Sequence, residues 1–302
     1  MTSCFIEKFQ VSNGIFHKDL KDSVSKKIST FYNDMPFPDY ENNESLDRFR
    51  EKGNKNIFIK KLKDFIGFDK KILEVGCGTG QVSNYLALDN NSEVYGIDLA
   101  VNSLKLATEF AKKNNVNNTF FCNADLFDDV FKKKSFDFIY CSGVLHHTSA
   151  PKEGFKQLVS LLKDDGCIVI GLYNFYGRFW TKLKAIIFKL NIFKKNAFLL
   201  DDKLKEFKRG SKKYNSWFND QFNHPLESVH TFDEVLLWFK ECNIELIFSL
   251  PSTTFFDEIN FNSRQDKSNF IIRTFKQIFM LFNIWGKEGG LFIFVGKKNV
   301  RN

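Results

Sequence analysis

No two cysteines in this chain are spaced C-x-x-C, and no apolar run approaches the roughly 20 residues of a membrane span. The six cysteines, Cys4, Cys77, Cys122, Cys141, Cys167 and Cys242, are scattered. That scatter argues against a zinc site or a disulfide framework and leaves no metal expected. Several fall in apolar, strand-like runs, where a reduced cysteine acts as a small hydrophobe. The N-terminus has no basic region leading into an apolar core, so no signal peptide is expected and the cytoplasm is the expected compartment. Internal repeats and low-complexity tracts are also missing.

What remains is the composition of a folded protein, 43% hydrophobic and 26% charged over 302 residues. That length suits one large domain with elaborations or two small ones. The net charge of +8 is concentrated. Between Arg178 and Lys213 twelve Lys or Arg face Asp201, Asp202 and Glu206, while the rest of the chain is close to neutral.

Along the chain, residues 1–27 are polar with few apolar anchors and are expected to be loosely ordered. A turn-rich element follows, Phe31-Tyr-Asn-Asp-Met-Pro-Phe-Pro-Asp-Tyr40, whose two prolines exclude a regular helix or central strand. From Lys71 short β-rich runs alternate with helical patterns. Strands are expected at 72–75, 93–97, 119–122, 136–141 and 167–172, with helices at 81–88, 101–113 and 152–162 between them. A helix at 232–241, capped by Thr231, and strands at 244–250 and 291–295 complete the pattern. This alternation implies an α/β fold, a mostly parallel sheet with helices on both faces. Two segments interrupt it, 173–230 and 251–289.

The most informative segment is Lys71-Lys-Ile-Leu-Glu-Val-Gly-Cys-Gly-Thr-Gly80. A strand runs into three alternate glycines and then into a helix. Glycine permits backbone angles closed to other residues and removes the Cβ that would crowd a ligand. The helix after it directs its first N–H groups toward whatever lies on the loop. The dinucleotide fingerprint G-x-G-x-x-G would require glycine at position 81, which is Gln81. The spacing therefore favours another cofactor. In a parallel α/β sheet ligands bind beyond the carboxyl ends of the strands. Asp98 lies at the second such exit, where it could cap the next helix or accept both hydroxyls of a ribose. Asn123-Ala-Asp125 stands at the third exit and Cys141-Ser-Gly-Val-Leu-His-His147 at the fourth.

These four exits, in this order, resemble the class I methyltransferases that use S-adenosylmethionine. The resemblance covers 71–172, and the ending at 232–250 and 291–297 fits the same Rossmann-like fold, a seven-stranded sheet whose last strand is antiparallel. It implies S-adenosyl-L-methionine as cofactor, held by Glu74, Gly76, Cys77, Gly78, Gly80, Asp98, Leu99, Asp125, Leu126 and Ser142. In the family the aspartate at the position of Asp125 holds the adenine amino group, and Leu126 would flank the ring. The implied division is an N-terminal extension and cofactor lid over 1–66 and a methyltransferase domain over 67–297. The insertions 173–230 and 251–289 would form a substrate cap.

The acceptor is expected to be small or lipid-like, methylated at oxygen in the first instance. A hydroxyl acceptor needs a base, for which His146, His147, His224 and His230 are the candidates; bracing of the loop is the alternative role for His146-His147. Tyr32, Phe37 and Tyr40 are candidate lid aromatics. Two amphipathic segments, 179–193 and 271–285, could lie on an anionic membrane, wall an apolar pocket, or pack together with their lysines solvated. The basic segment 178–213 alternatively suits RNA. Against this, no appended RNA-binding domain is recognisable. The fourth strand is also not followed by the Asn/Asp-Pro-Pro-Tyr-like tetrapeptide of base amino-methylation. A cofactor-binding partner subunit without turnover is the remaining alternative.

Overall fold

The strand at Lys71–Val75 (β3) lies at the centre of a nine-stranded sheet. The computed structural model describes residues 4–6, 9–20, 22–34, 45–189, 201–251, 259–261, 269–282 and 290–300. The other strands are Gln10–Ser12 (β1), Ile15–His17 (β2), Glu93–Asp98 (β4), Thr119–Asn123 (β5), Phe136–Ser142 (β6), Leu162–Tyr173 (β7), Ile244–Leu250 (β8) and Leu291–Lys298 (β9). Their order is β1-β2-β5-β4-β3-β6-β7-β9-β8. Pairing is parallel from β2 through β7, and β9 runs antiparallel to both β7 and β8. All seven expected strands are present, with the expected hand of the last.

Side-chain alternation explains the layers, because successive strand residues face opposite sides of a sheet. Leu73, Val75, Ile139 and Ile168 face one core with Phe155 and Leu158 of helix α6 (Pro151–Leu161) and Phe239 of α10 (Phe232–Glu241). Ile72, Val94, Phe138 and Val169 face the other. They meet Leu62 and Ile66 of α3 (Ile57–Ile66), Leu86 of α4 (Gln81–Ala87) and Leu104 of α5 (Val101–Lys113). The sheet reverses its strand order between β3 and β6, and that crevice is where open α/β sheets bind ligands.

Two local expectations are corrected. Within residues 1–27, β1 and β2 form a hairpin whose second strand pairs with the edge of β5, Phe16 opposite Cys122. Cys4, Phe5 and Ile15 are buried there, and Phe5 stacks on Phe131. Strands of three residues held mainly by backbone bonds leave too short a pattern for periodicity to register. Phe31–Asp34, expected in a turn, form the last turn of α1 (Ser23–Asp34). Pro36 restricts only the residue before it, so a helix ending at Asp34 satisfies the chain. The rest of that element, including Phe37 and Tyr40, lies outside the described residues.

The remaining helices are α2 (Leu46–Lys55), then α7 (Phe179–Lys189), α8 (Asp202–Glu206) and α9 (Lys212–Phe222) in the first interruption, and α11 (Phe270–Phe279) in the second. Phe188, Leu204, Tyr214, Phe218 and Phe222 give the first interruption a small core of its own. Leu190, Phe193 and Trp285 of the two amphipathic segments lie outside the described residues.

Candidate active site

The glycine loop takes its shape from the chain's own packing. Gly76, Gly78 and Gly80 all have positive φ, 67°, 51° and 72°. The amides of Gly76 and Cys77 both donate to the Ile97 carbonyl, at 2.8 and 3.1 Å, tying the loop to the end of β4. A Cβ on Gly76 would fall 2.2 Å from Val144 Cγ2, and one on Gly80 would fall 2.6 Å from Ala107 Cβ. At these two positions the neighbour that a Cβ would meet is protein. Gly80 is the cap residue of α4 and lies behind the cleft wall; Gly76, Cys77 and Gly78 line it.

Beyond the loop a cleft of about 650 Å³ opens across the carboxyl ends of β3, β4, β5 and β6. Glu74, Asp98, Leu99, Asp125, Leu126 and Ser142 all line it. Asp98 accepts from Gly78 N through Oδ2 and from Ala100 N through Oδ1, each at 2.7 Å. It thus fastens the glycine loop and also turns the chain into α5. Burial raises its pKa, and the amides of Ala100, Gly78 and Leu99 pull it back. Each carboxylate oxygen keeps a further lone pair, which suits the two hydroxyls of a ribose. Asn123 holds this exit in place, its Nδ2 donating to the carbonyls of Asp98 and Leu99 at 3.0 Å each.

Asp125 is partly engaged by the protein itself. Its Oδ2 accepts from Ser25 Oγ of α1, and its Oδ1 accepts from Phe127 N at 3.0 Å. Ser29 Oγ of the same helix donates to the Leu99 carbonyl at 2.7 Å, and Ile28 faces the cleft. Glu74, buried at the end of β3, accepts from Ser83 Oγ. Desolvation pushes its carboxyl up to about 8, against the Ser83 hydrogen bonds that favour ionisation. Burial likewise raises the Cys77 thiol well above its ordinary value, so that cysteine is no thiolate. A glycine cradle, a buried acceptor for a diol, a second carboxylate and the apolar walls Leu99 and Leu126 together fit S-adenosylmethionine.

The far end of the cleft is a polar chamber formed by Tyr32, His147, Tyr173 and Asp220. Tyr32 Oη donates to Asp220 Oδ1 at 2.8 Å, and Gln221 Nε2 donates to Tyr173 Oη at 3.1 Å. The Arg178 guanidinium lies 3.8 Å from the centre of the Tyr173 ring and pairs through two nitrogens with Glu227. Arg178 is therefore a buried brace of the chamber, although it opens the basic segment that suggested RNA.

Of the four candidate histidines, His147 alone lines the cleft. It ends a 3-10 turn, Leu145–His147, and its Nδ1 lies 2.7 Å from the Leu226 carbonyl oxygen. A carbonyl only accepts, so Nδ1 carries the proton and Nε2 the lone pair. Burial lowers its pKa and so favours the neutral ring, while Asp220 pulls the other way. His146 is fully buried behind it, with its ring 4.0 Å from that of Tyr173 and neither nitrogen hydrogen-bonded. His224 stacks on His147 at 3.6 Å, and burial pushes it down to about 3. His230 bridges Ser228 Oγ and Glu234 Oε1, away from the cleft.

Three cleft-lining residues, Ser25, Tyr173 and Asp220, escaped the sequence reading. Tyr173 stands at the exit of the fifth parallel strand, so extending the reading of exits by one strand finds it. Ser25 and Asp220 lie on helices whose position relative to the cleft no local pattern encodes.

A family profile described as a methyltransferase domain matches residues 67–235, more than half of the chain. A ubiquinone biosynthesis O-methyltransferase of Glaesserella parasuis is 33% identical over 35% of this chain and 47% of its own length. Phosphoethanolamine N-methyltransferase 2 of Caenorhabditis elegans is 27% identical over 46% of this chain and 32% of its own. The chain spans half or less of the length of these curated relatives. In fold it is similar to PKMT2 from Rickettsia typhi, with a TM-score of 0.57 and 15% identity over 82% of this chain and 53% of that one. The matched span contains the glycine cradle and Asp98, and it covers more than half of the chain: the chain belongs to the methyltransferase domain family, the class I enzymes that use S-adenosylmethionine.

Proposed function

We propose that the protein transfers a methyl group to a hydroxyl of a small or lipid-like acceptor held in the chamber of Tyr32, His147, Tyr173 and Asp220. The observation that carries this reading is the Nδ1 contact of His147 with the Leu226 carbonyl, which leaves Nε2 as an unprotonated acceptor at the cleft wall. The sulfonium of S-adenosylmethionine, when bound, supplies a methyl group already activated for displacement, so orientation of the acceptor is the main task of the protein. Asp98 and the loop amides hold the cofactor end. Tyr173 Oη, which accepts from Gln221, keeps its own proton to donate to the acceptor. His147 Nε2 takes the hydroxyl proton, and the imidazolium formed is steadied by the Leu226 carbonyl and by Asp220.

In the same reading residues 1–66 act as a cofactor lid, supported by the bonds from Ser25 and Ser29 of α1 to Asp125 and Leu99. The segments 173–230 and 251–289 act as the substrate cap. Incubation with labelled S-adenosylmethionine and fractionated cell extract tests the acceptor class. Label in the lipid or small-molecule fraction supports the proposal, and label in RNA or protein overturns it. Calorimetry with S-adenosylhomocysteine tests the donor end: binding unchanged by Asp98→Ala removes that half.

A further inference from the structure

Helix α11 is packed inside out. Lys276 and Gln277 are 5% and 2% exposed, while Phe270, Ile271 and Phe275 are 60%, 57% and 59% exposed. The polar side is held inward by specific bonds. Gln277 Oε1 accepts from Phe232 N at 2.8 Å and from Asn174 Nδ2 at 3.0 Å. Arg273 Nε donates to Asp233 Oδ1 at 2.9 Å. A helix on a soluble domain buries its apolar stripe and exposes its polar one. Here the bonds of Gln277 and Arg273 fix the opposite orientation, so the outward aromatic face is a built feature.

Helix α7 extends that face. Phe179, Trp180, Leu183 and Ile186 are exposed, and Phe188 turns inward to the core it shares with α9. Trp180 Nε1 donates to the Leu281 carbonyl at 2.6 Å, which joins α7 to the end of the α11 segment beside exposed Phe282. Exposed apolar side chains gathered on neighbouring segments in this way mark an interaction site. Neither α7 nor α11 contains an acidic residue, and Lys182 and Lys189 are exposed on α7.

We infer that the joint outward face of α7 and α11 seats the protein on an anionic lipid surface, with its aromatic side chains among the acyl chains and its lysines at the headgroups. Amphipathic helices bind membranes in this way, through buried apolar area plus attraction of lysines to anionic lipid. A second copy of the chain fits less well, because two such faces would bring α7 lysines toward α7 lysines with no carboxylate between them. Helix α7 shares a core with α9, which carries Asp220 and Gln221 to the chamber. Seating would therefore place the cap, and with it the acceptor site, next to the bilayer. That last link rests on the function proposed above; the surface itself does not.

The test is flotation of the full chain with vesicles of phosphatidylcholine alone and of phosphatidylcholine with phosphatidylglycerol. Binding is expected to the anionic vesicles only, weakened on the order of tenfold by Phe275→Ser with Phe279→Ser and by Lys182→Glu with Lys189→Glu. Absence of binding to anionic vesicles, or equal binding by the serine variant, overturns the inference. So does a stable dimer in sedimentation that the serine variant dissociates. Calorimetry with S-adenosylhomocysteine on the same preparations separates the two readings. Lost cofactor binding with intact flotation counts against the proposed function, and the reverse counts against the membrane surface.

Discussion

His147 Nδ1 lies 2.7 Å from the carbonyl oxygen of Leu226, a residue 79 positions further along the chain. The bond selects one tautomer and aims the basic nitrogen away from the carbonyl. If that nitrogen is the base, His147→Ala lowers kcat by about 10²–10⁴ and leaves S-adenosylhomocysteine affinity intact. The pH profile of kcat/KM is then expected to rise through a value below the ordinary 6.5 and stay level above it, because burial depresses the pKa. A loss below about threefold in the alanine variant would leave orientation, without base catalysis, as the role of the chamber.

Glu74 ties stability to pH. Its carboxyl titrates at about 8 in the fold and near 4.5 once unfolded, so between those values the native state holds a proton that the unfolded chain has released. The sign follows: stability is full below about 4.5 and declines as pH rises through about 8. The slope approaches about 1.4 kcal/mol per pH unit at its steepest. Glu74→Gln is expected to remove this part of the decline, seen as a smaller difference between urea midpoints at pH 5.5 and 8.5. An unchanged difference in the variant would place the titrating group elsewhere.

Arg178, buried, and Glu227, part-buried, form a two-pronged pair against the ring of Tyr173. Arg178→Met strands the Glu227 carboxylate and is expected to cost about 3–5 kcal/mol. The double variant with Glu227→Met should cost less than the sum of the single changes, since no charge is then left unpaired. Urea titrations of the four proteins decide it, and additive losses would mean that the two residues act independently.

Gly76 and Gly67 separate backbone strain from crowding. Both have positive φ, yet a Cβ at Gly67 meets nothing within 4 Å, whereas one at Gly76 meets Val144. Gly67→Ala is expected to cost about 1–3 kcal/mol from the backbone conformation alone, with φ 76° and ψ −146°. Gly76→Ala should cost more, and Val144→Ala in that background should recover part of the excess. Equal melting temperatures for the two alanine variants would remove the role given to Val144.

The sheet was legible because its signals are local. Strands β3 to β7 read as apolar runs punctuated by Gly76, Asp98, Asp125 and Ser142, and each exit residue faces the cleft because strand ends in a parallel sheet share one edge. The β1-β2 hairpin was not legible, since six residues held by backbone bonds carry almost no pattern. The histidines divide in the same way. Adjacent in sequence, His146 and His147 are indistinguishable by composition, and the 3-10 turn sends one ring behind Tyr173 and the other to the cleft.

The amino-acid pattern alone therefore determined the α/β alternation and the glycine loop, because hydrophobic period and backbone freedom are properties of neighbouring residues; the donor was legible through the family resemblance that those motifs carry. Only the tertiary structure decided which histidine meets the chamber, that Arg178 is a brace, and that α11 turns its aromatic side outward. Each of these depends on partners far along the chain, such as Leu226, Glu227 and Phe232. A helical stripe is the same string of residues whichever side faces the core; the bonds that Gln277 and Arg273 make settle the side.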